Sequence, residues 1–498
     1  MNIKKSIKAE IRKQLKKVQR WNRISKKAKR ALSRKVMEEV INRHHKGQLS
    51  PVEIHEQLQL EMLPSGVMTL DEMKTFIPNL TNRIVSLKDP RKSWYLHSEL
   101  RAIDKLLDDT VLNVLLAPPG YTPSKREKTP AMLFRAELLK SLYYAEMSYR
   151  KFCKLEVNDL ERKRNRTFIG LDRRRAEKIH HSELSAFRLH VTWKQQLNLL
   201  VYFLTHFFDS PLGEGSFYYA LDGTDLAAKM VSHPLTTVTV NIAGQEEKIA
   251  IYSQLDTDCG ERRNKSDRSK FFVGYKVHAL SVLNPLTGKA YSLLPVVTGA
   301  NHHDSNFLEP LVILGKALGL DIRFMVADEA YDAADLAAIS DITLVTPPRS
   351  TVTIPDDVVV EHGLTTVFCH QACETPMTWV GRDESSHEFH CSATQGSCPY
   401  ELNCPRSRVI PLDNGYFGHI PRTEDWLPAV DDTRKHCERP FNLIKHRNGI
   451  DRITVKSQHA VQVVQTTATI AILLLEIVRY KKKTQEVYTQ IEIPLSAS

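Results

Sequence analysis

The sequence predicts an α/β protein: a mixed sheet flanked by helices, with a helical region before it and a Cys-rich insertion within it. Three observations carry that expectation. From 216 onward, aromatic and β-branched runs replace helical periodicity. Four such runs come in succession before helix and strand begin to alternate, the order expected of a mixed sheet. Upstream, apolar residues recur at helical spacing, and five of the eight cysteines crowd into 369–404.

The elements follow in order. Within 3–46, Ile3, Ile7, Ile11, Leu15 and Val18 mark one basic amphipathic helix. Ser25 is placed to cap a second, with Leu32, Val36 and Val40 on its inner face. Helical stretches are expected at 93–116, 132–153, 180–190 and 193–208, with a Pro/Gly loop at 118–123 as a boundary. Strands are expected at 216–221, 248–253, 271–282 and 290–298. A helix at 308–318, a strand at 322–327, a helix from 333 and a strand at 342–346 come next. Helices resume at 432–446 and 457–482, after the cysteine-bearing insertion.

A chain of 498 residues, 42% hydrophobic and 26% charged, can bury a large core. Its net charge of +11 is unevenly placed. Residues 1–35 hold fifteen Lys or Arg against the single acid Glu10, a balance of +14; since 11 less 14 is −3, the rest is slightly acidic. Fifteen bases against one acid exceed what salt-bridge lacing needs, so a polyanion is the expected partner of this arm, against a merely solvated helix. The N-terminus lacks the apolar core of a secretory signal. The apolar run 460–478 carries Gln462, Gln465, three threonines and Glu476, and reads as a buried core helix with no membrane role. The sparse, clustered cysteines suit a reduced compartment.

Chemistry concentrates at three acids. Asp222 and Asp328 each follow a strand-like apolar run, where α/β sheets place functional groups. A strand-ending aspartate alone is more often a turn or cap residue, so position counts only jointly. Arg434, Glu438 and Lys445 recur with the spacing Arg-x3-Glu-x6-Lys, near one face of a helix. A carboxylate between two cations suits a metal-assisted phosphoryl-transfer site, the acid holding metal and the cations holding phosphate. Asp225, Asp256, Asp258 and Asp304 are nearby alternatives. Lys276 is a further candidate phosphate contact, and His278, His302 and His303 are read as ordering loops around the site.

Taken together, residues 165–482 resemble the DDE transposases of bacterial insertion sequences, which have a ribonuclease H-like catalytic core. The matching pieces are Leu221-Asp222-Gly223-Thr224, Gly274-Tyr275-Lys276-Val277-His278, Asn301 to Ser305, Ala327 to Asp332, and the Arg434/Glu438/Lys445 helix. One departure is clear: the tyrosine usual three residues before that arginine is Asp431 here. The resemblance implies a ribonuclease H-like mixed sheet and Mg²⁺ (or Mn²⁺) held by Asp222, Asp328 and Glu438. It further implies phosphate held by Arg434 and Lys445, and double-stranded DNA, both transposon ends and target, as substrate. A homodimer on DNA, in the bacterial cytoplasm at the nucleoid, is the matching expectation. The domains expected are a basic helical DNA-binding region at 1–120 and a helical DNA-binding or linking domain at 121–212. The catalytic core then falls at 213–350 and 411–498, around the insertion at 351–410.

The insertion carries Cys369, Cys373, Cys391, Cys398 and Cys404, with His370, His387 and His390 between. Such a set offers four thiolate or imidazole ligands to a structural Zn²⁺, with free buried thiols as the alternative. Cys369, Cys391, Cys398 and Cys404 are the chosen ligands. A similar Cys-bearing insertion belongs to the resemblance. Cys437 reads as a packing residue. Two other functions compete: a ribonuclease H-like nuclease that cuts without joining, and a DNA-binding regulator descended from a transposase. The intact acids and Lys445 argue against the second.

Overall fold

The computed structural model describes residues 64–83, 96–118, 128–171, 177–214, 218–228, 234–242, 245–252, 259–263, 271–284, 288–331, 342–347, 358–361, 364–368, 375–383, 385–394, 406–411, 423, 438–443 and 453–492. The expected basic arm, Asp256, Asp258, Arg434, Lys445, Cys369, Cys398 and Cys404 lie outside them, as does the expected helix from 333.

The helical half runs α1 (Leu70–Arg83), α2 (Ser98–Asp104), α3 (Asp109–Leu116), α4 (Pro130–Tyr143), α5 (Lys163–Ile169), α6 (His181–His190) and α7 (Trp193–Phe208). Local chemistry sets the ends. Asp108 caps α3, which splits the single stretch expected at 93–116 in two. Thr129 caps α4, with Pro130 in its first turn. Thr192 and Gln195 form a capping box at the start of α7. Gly170, at φ +90°, ends α5 in the left-handed conformation that glycine adopts without steric cost. Arg135, fully buried, ties α2, α3 and α4 together by donating to Asp104 Oδ1 and Asp109 Oδ1, both at 2.6 Å.

The sheet follows. Its strands are β1 (Tyr218–Ala227), β4 (Gly260–Arg263), β5 (Phe271–Asn284), β6 (Lys289–Gly299), β7 (Phe324–Ala327) and β8 (Thr343–Val345), while β2 (Pro234–Ile242) and β3 (Gln245–Tyr252) form a separate hairpin. The order is β4-β5-β1-β7-β8, with β6 also on β5. β1 is antiparallel to β5 and parallel to β7, and β7 is parallel to β8, so the sheet is mixed. β4 and β6 share one edge of β5, pairing with residues 271–274 and 275–284 respectively. After β6 comes α8 (Leu308–Ala317), and near the C-terminus α9 (Glu438–Asn442) and α10 (Gln458–Glu492).

The sheet's two faces bury different sets. Tyr219, Leu221, Leu280, Val282, Met325 and Ala327 join one large core with the helical half and α8. Ala220 and Val326 on one hand, and Leu226, Tyr275, Val277 and Ala279 on the other, face the opposite side, the latter with Phe441 of α9 and Val461 and Ile472 of α10. That alternation is the two-residue period of a strand. The large core includes residues from Leu70 to Val478, so the boundary expected near 120 does not divide it.

The long apolar helix α10 lies along the β6 edge. The 26-residue stretch Gln458–Lys483 is apolar enough to cross a membrane by composition, yet 89% of its apolar window is buried within the protein. Its glutamines explain why. Gln462 accepts from Val297 N at 2.7 Å and donates to Pro295 O at 2.8 Å, and Gln458 donates to Val297 O at 2.8 Å. These side chains satisfy edge-strand groups that would otherwise be open.

The insertion is more structured than its polar composition suggests. It holds a two-stranded ladder, β9 (Val358–Glu361) with β10 (Leu364–Val367). Beside it is a three-stranded sheet of β11 (Met377–Arg382), β12 (Ser386–Cys391) and β13 (Ser407–Pro411). Val358, Val367, Met377, Phe389 and Ile410 make a core of their own. His387 is fully buried and accepts from Trp379 Nε1 at 3.2 Å, which makes it a packing residue.

Candidate active site

Asp222 does not end its strand, as the apolar run suggested. β1 continues five residues to Ala227, paired throughout with β5. What ends at Leu221 is the pairing with β7, whose last partner is Ala327. Asp222 and Asp328 therefore follow one register pair on adjacent parallel strands, where neighbours lie about 4.8 Å apart. Both point to the same face, because Leu221 and Ala327 both point to the other. Each carboxylate takes the same local brace, accepting from the amide of the next residue: Gly223 N to Asp222 Oδ1 at 2.7 Å, and Glu329 N to Asp328 Oδ1 at 2.6 Å.

Glu438 reaches that face from elsewhere in the chain. It begins α9, exposed, and Phe441 one turn later is buried among Tyr275, Val277 and Ala279. Phe441 anchors the helix on the Asp222 side of the sheet. The electrostatics agree with this placement. Burial, and after it the charges of Asp328, Asp304 and Glu438, push the Asp222 carboxyl up to about 6 against the opposing Gly223 amide. No three acid, histidine or cysteine side chains among the described residues close on a single point as a finished metal cage. The acids share a face and a field, with Glu438 at the solvent side.

Behind this face lies a second set of charges, made of residues of opposite parity. Asp225 is paired with Arg262, and Lys276 with Asp304. Asp225 thus faces away from Asp222 and is committed to a cation. Lys276, a candidate phosphate contact by sequence, is nearly buried and held by Asp304. Burial raises the Asp304 carboxyl, but His278 and Lys276 more than offset this and hold it near about 2. His278 stays neutral, its pKa lowered chiefly by burial. Its ring stacks on Phe307 at 3.9 Å, with Nδ1 3.3 Å from Asp304 Oδ1 and Nε2 3.1 Å from Thr298 Oγ1. His303 caps the short turn Asp304–Phe307, and His302 meets Phe307 edge-on at 6.0 Å. The three histidines therefore order the 302–307 corner.

Gly223 connects the two faces. A Cβ there would lie 2.3 Å from Asp304 Oδ1 and 3.1 Å from Lys276 Cε. The missing side chain lets the Asp304 carboxylate sit against the strand directly behind Asp222. Tyr331 joins this neighbourhood. Its phenol is buried without a hydrogen-bond partner among the described residues. Burial raises its pKa well above the ordinary value, and Asp304, Asp222 and Asp328 add to that. Sequence reasoning placed Tyr331 in a motif but gave it no role. Nor did it anticipate the Asp304 pairing, whose only trace was an acid after two histidines. A cavity of about 410 Å³ lies nearby between α9, β6 and α10, bordered by Lys289, Tyr291, Arg439 and Glu476; it does not include the acids.

No family model matches the chain, and no curated protein matches it. A solved structure described as the piggyBac transposase synaptic complex with hairpin DNA aligns with 82% of this chain and 82% of that chain, at 11% identity and a TM-score of 0.24. At that score the overlap carries no argument.

Proposed function

We propose that the chain is a DNA transposase of the DDE class, cutting the ends of an insertion sequence and joining them to target DNA by metal-dependent phosphoryl transfer. The observation that carries this reading is the gathering of Asp222, Asp328 and Glu438 onto one sheet face from three distant points of the chain. A half-buried Asp222 carboxylate with further acids beside it is costly to ionise unless a cation neutralises it. The donor set, all carboxylate oxygen, suits Mg²⁺ or Mn²⁺. Asp222 and Asp328 would hold it, with Glu438 supplying a further oxygen. A divalent cation there supplies Lewis-acid polarisation of the phosphoryl group.

The chain's own residues do the rest. The Gly223 and Glu329 amides orient the two aspartates. The Lys276–Asp304 pair stiffens β1 from behind and keeps Asp304 out of the metal's donor set. Arg434 and Lys445, flanking Glu438 in sequence, would hold phosphate. No protein nucleophile is required. Zn²⁺ in the insertion belongs to the same proposal. Its support is topological: the 369–374 segment is closed by the bridge Phe368↔Pro376, and the 392–405 segment by Cys391 N donating to Arg406 O at 2.9 Å. The described residues that flank them, Met377, Cys391 and Ser407, lie at one end of the β11–β12–β13 sheet, because Met377 pairs with Cys391 and His390 with Ser407.

A strand-cleavage and strand-transfer assay with Mg²⁺ tests the function. Asp222→Ala, Asp328→Ala and Glu438→Ala should each abolish cleavage and leave DNA binding nearly intact. Near wild-type cleavage by any of them removes that residue from the site. Cleavage without joining would favour a nuclease.

A further inference from the structure

Charge on the helical half is concentrated in one place. Among the described residues of 96–214, nine Lys or Arg side chains are exposed, and seven of them fall within 150–178. One of the seven, Arg162, is paired with Glu156 at 3.3 Å. The other six, Arg150, Lys151, Lys154, Lys163, Arg164 and Lys178, make no ion pair among the described residues. Against them, among the described residues of 150–178, stand two exposed acids, Asp159 and Glu161. An unneutralised cluster of this kind is disfavoured by self-repulsion unless a polyanion meets it.

The cluster is rigidly mounted. Tyr149–Phe152 runs into the π-turn Cys153–Val157, which buries Phe152, Cys153, Glu156 and Val157 and leaves Arg150, Lys151 and Lys154 outside. Arg166, fully buried in α5, donates to Val157 O at 3.0 Å and to Glu177 O at 2.9 Å. Asn158 and Ile179 exchange two hydrogen bonds of 2.9 Å. These ties fasten the π-turn, α5 and the 177–181 segment into one unit.

The geometry points to this surface as a grip for the phosphate backbone of duplex DNA, separate from the acid site and from the basic arm at 1–35. It rests on the reading that the chain's substrate is DNA. The side chains present decide the class of partner. No Phe, Tyr or Trp is exposed among its described residues, so it offers no platform on which unpaired bases stack. No Asn or Gln is exposed there either, so it lacks the amides that read adenine edges. Lys and Arg contacts to phosphate from a fixed scaffold set register and carry no sequence information of their own.

The test uses the full chain, a duplex of arbitrary sequence, and a chelator to suppress cleavage. Affinity is measured across a potassium chloride titration for wild type and for the triple variant Lys151→Gln/Lys154→Gln/Lys163→Gln. Each lost phosphate contact flattens the log–log salt slope by about 0.9, so the triple variant should flatten it by about 2 to 3 and weaken binding at least about tenfold. The double variant Lys105→Gln/Lys194→Gln, exposed but outside the cluster, should keep the wild-type slope. An unchanged slope in the triple variant, or an equal change in the control pair, overturns the surface. So does a triple variant that loses single-stranded RNA binding while keeping its duplex slope. The same preparations are scored for metal-dependent cleavage at low salt. A wild type that never cleaves defeats the function proposed above and leaves the slope test standing, whereas cleavage with an unchanged slope defeats this surface alone.

Discussion

Replacing Asp222 by Asn should stabilise the fold while destroying the site. The carboxyl is pushed from 3.8 to about 6, first by burial and then by the charges of Asp328, Asp304 and Glu438. The folded state therefore holds the Asp222 proton more tightly than the unfolded chain does. Its contribution to stability is fully present below the unfolded value of 3.8 and is lost as pH rises through about 6. A shift of that size, at about 1.36 kcal/mol per pH unit, is an upper bound near 3 kcal/mol. Screening at a half-buried group brings it to about 1–2 kcal/mol. Asn keeps the acceptor for the Gly223 amide, so the brace survives. Urea unfolding above pH 6 should show Asp222→Asn more stable by that amount, and the difference should vanish below pH 4. Mg²⁺ should raise the melting temperature of the wild type by linkage and leave the variant's unchanged. A variant less stable than wild type above pH 6, or a difference that ignores pH, would refute the argument that burial and the neighbouring acids disfavour the Asp222 charge.

Three further outcomes are expected. Gly223→Ala forces a Cβ to 2.3 Å from Asp304 Oδ1 and should cost about 1–3 kcal/mol through displacement of the Lys276–Asp304 pair; an unshifted melting temperature would show that the hollow is loosely filled. Gln465 in α10 is fully buried with neither amide atom hydrogen-bonded among the described residues, so Gln465→Leu should stabilise by about 1–3 kcal/mol in thermal unfolding, and a loss of stability would reveal a hidden partner. Purified protein should carry about one Zn²⁺ per chain, with thiols that resist alkylation until a chelator is added, and metal analysis without zinc together with five freely alkylated thiols would remove that site. Because the insertion has its own core around Phe389 and Ile410, chelation should loosen its Cys-bearing end and leave that core folded.

Much was legible in the order of residues because it depends on local pattern. The helix 193–208 has its bounds written in a Thr192/Gln195 capping box and a continuous apolar face. β5 and β6 stand out as long β-prone runs, and the buried fate of α10 was signalled by Gln462 and Gln465 within an apolar stretch. The acids could be named from their positions after apolar runs and from the Arg-x3-Glu-x6-Lys spacing. The insertion's strands were not legible, because β9 to β13 are at most six residues long and bury only one small core. The preference for Asp222 over Asp225, three residues on in the same strand, had only the end of the apolar run behind it. Strand parity turns them to opposite faces, and only the pairing of Leu221 with Ala327 says which face also holds Asp328 and the Phe441-anchored Glu438. Likewise Lys276 reads as a free cation until the fold brings Asp304 against Gly223 and neutralises it. Local pattern determined which residues could act; contacts between segments far apart in the chain decided which of them face one another, because strand register and helix docking are properties of the whole fold.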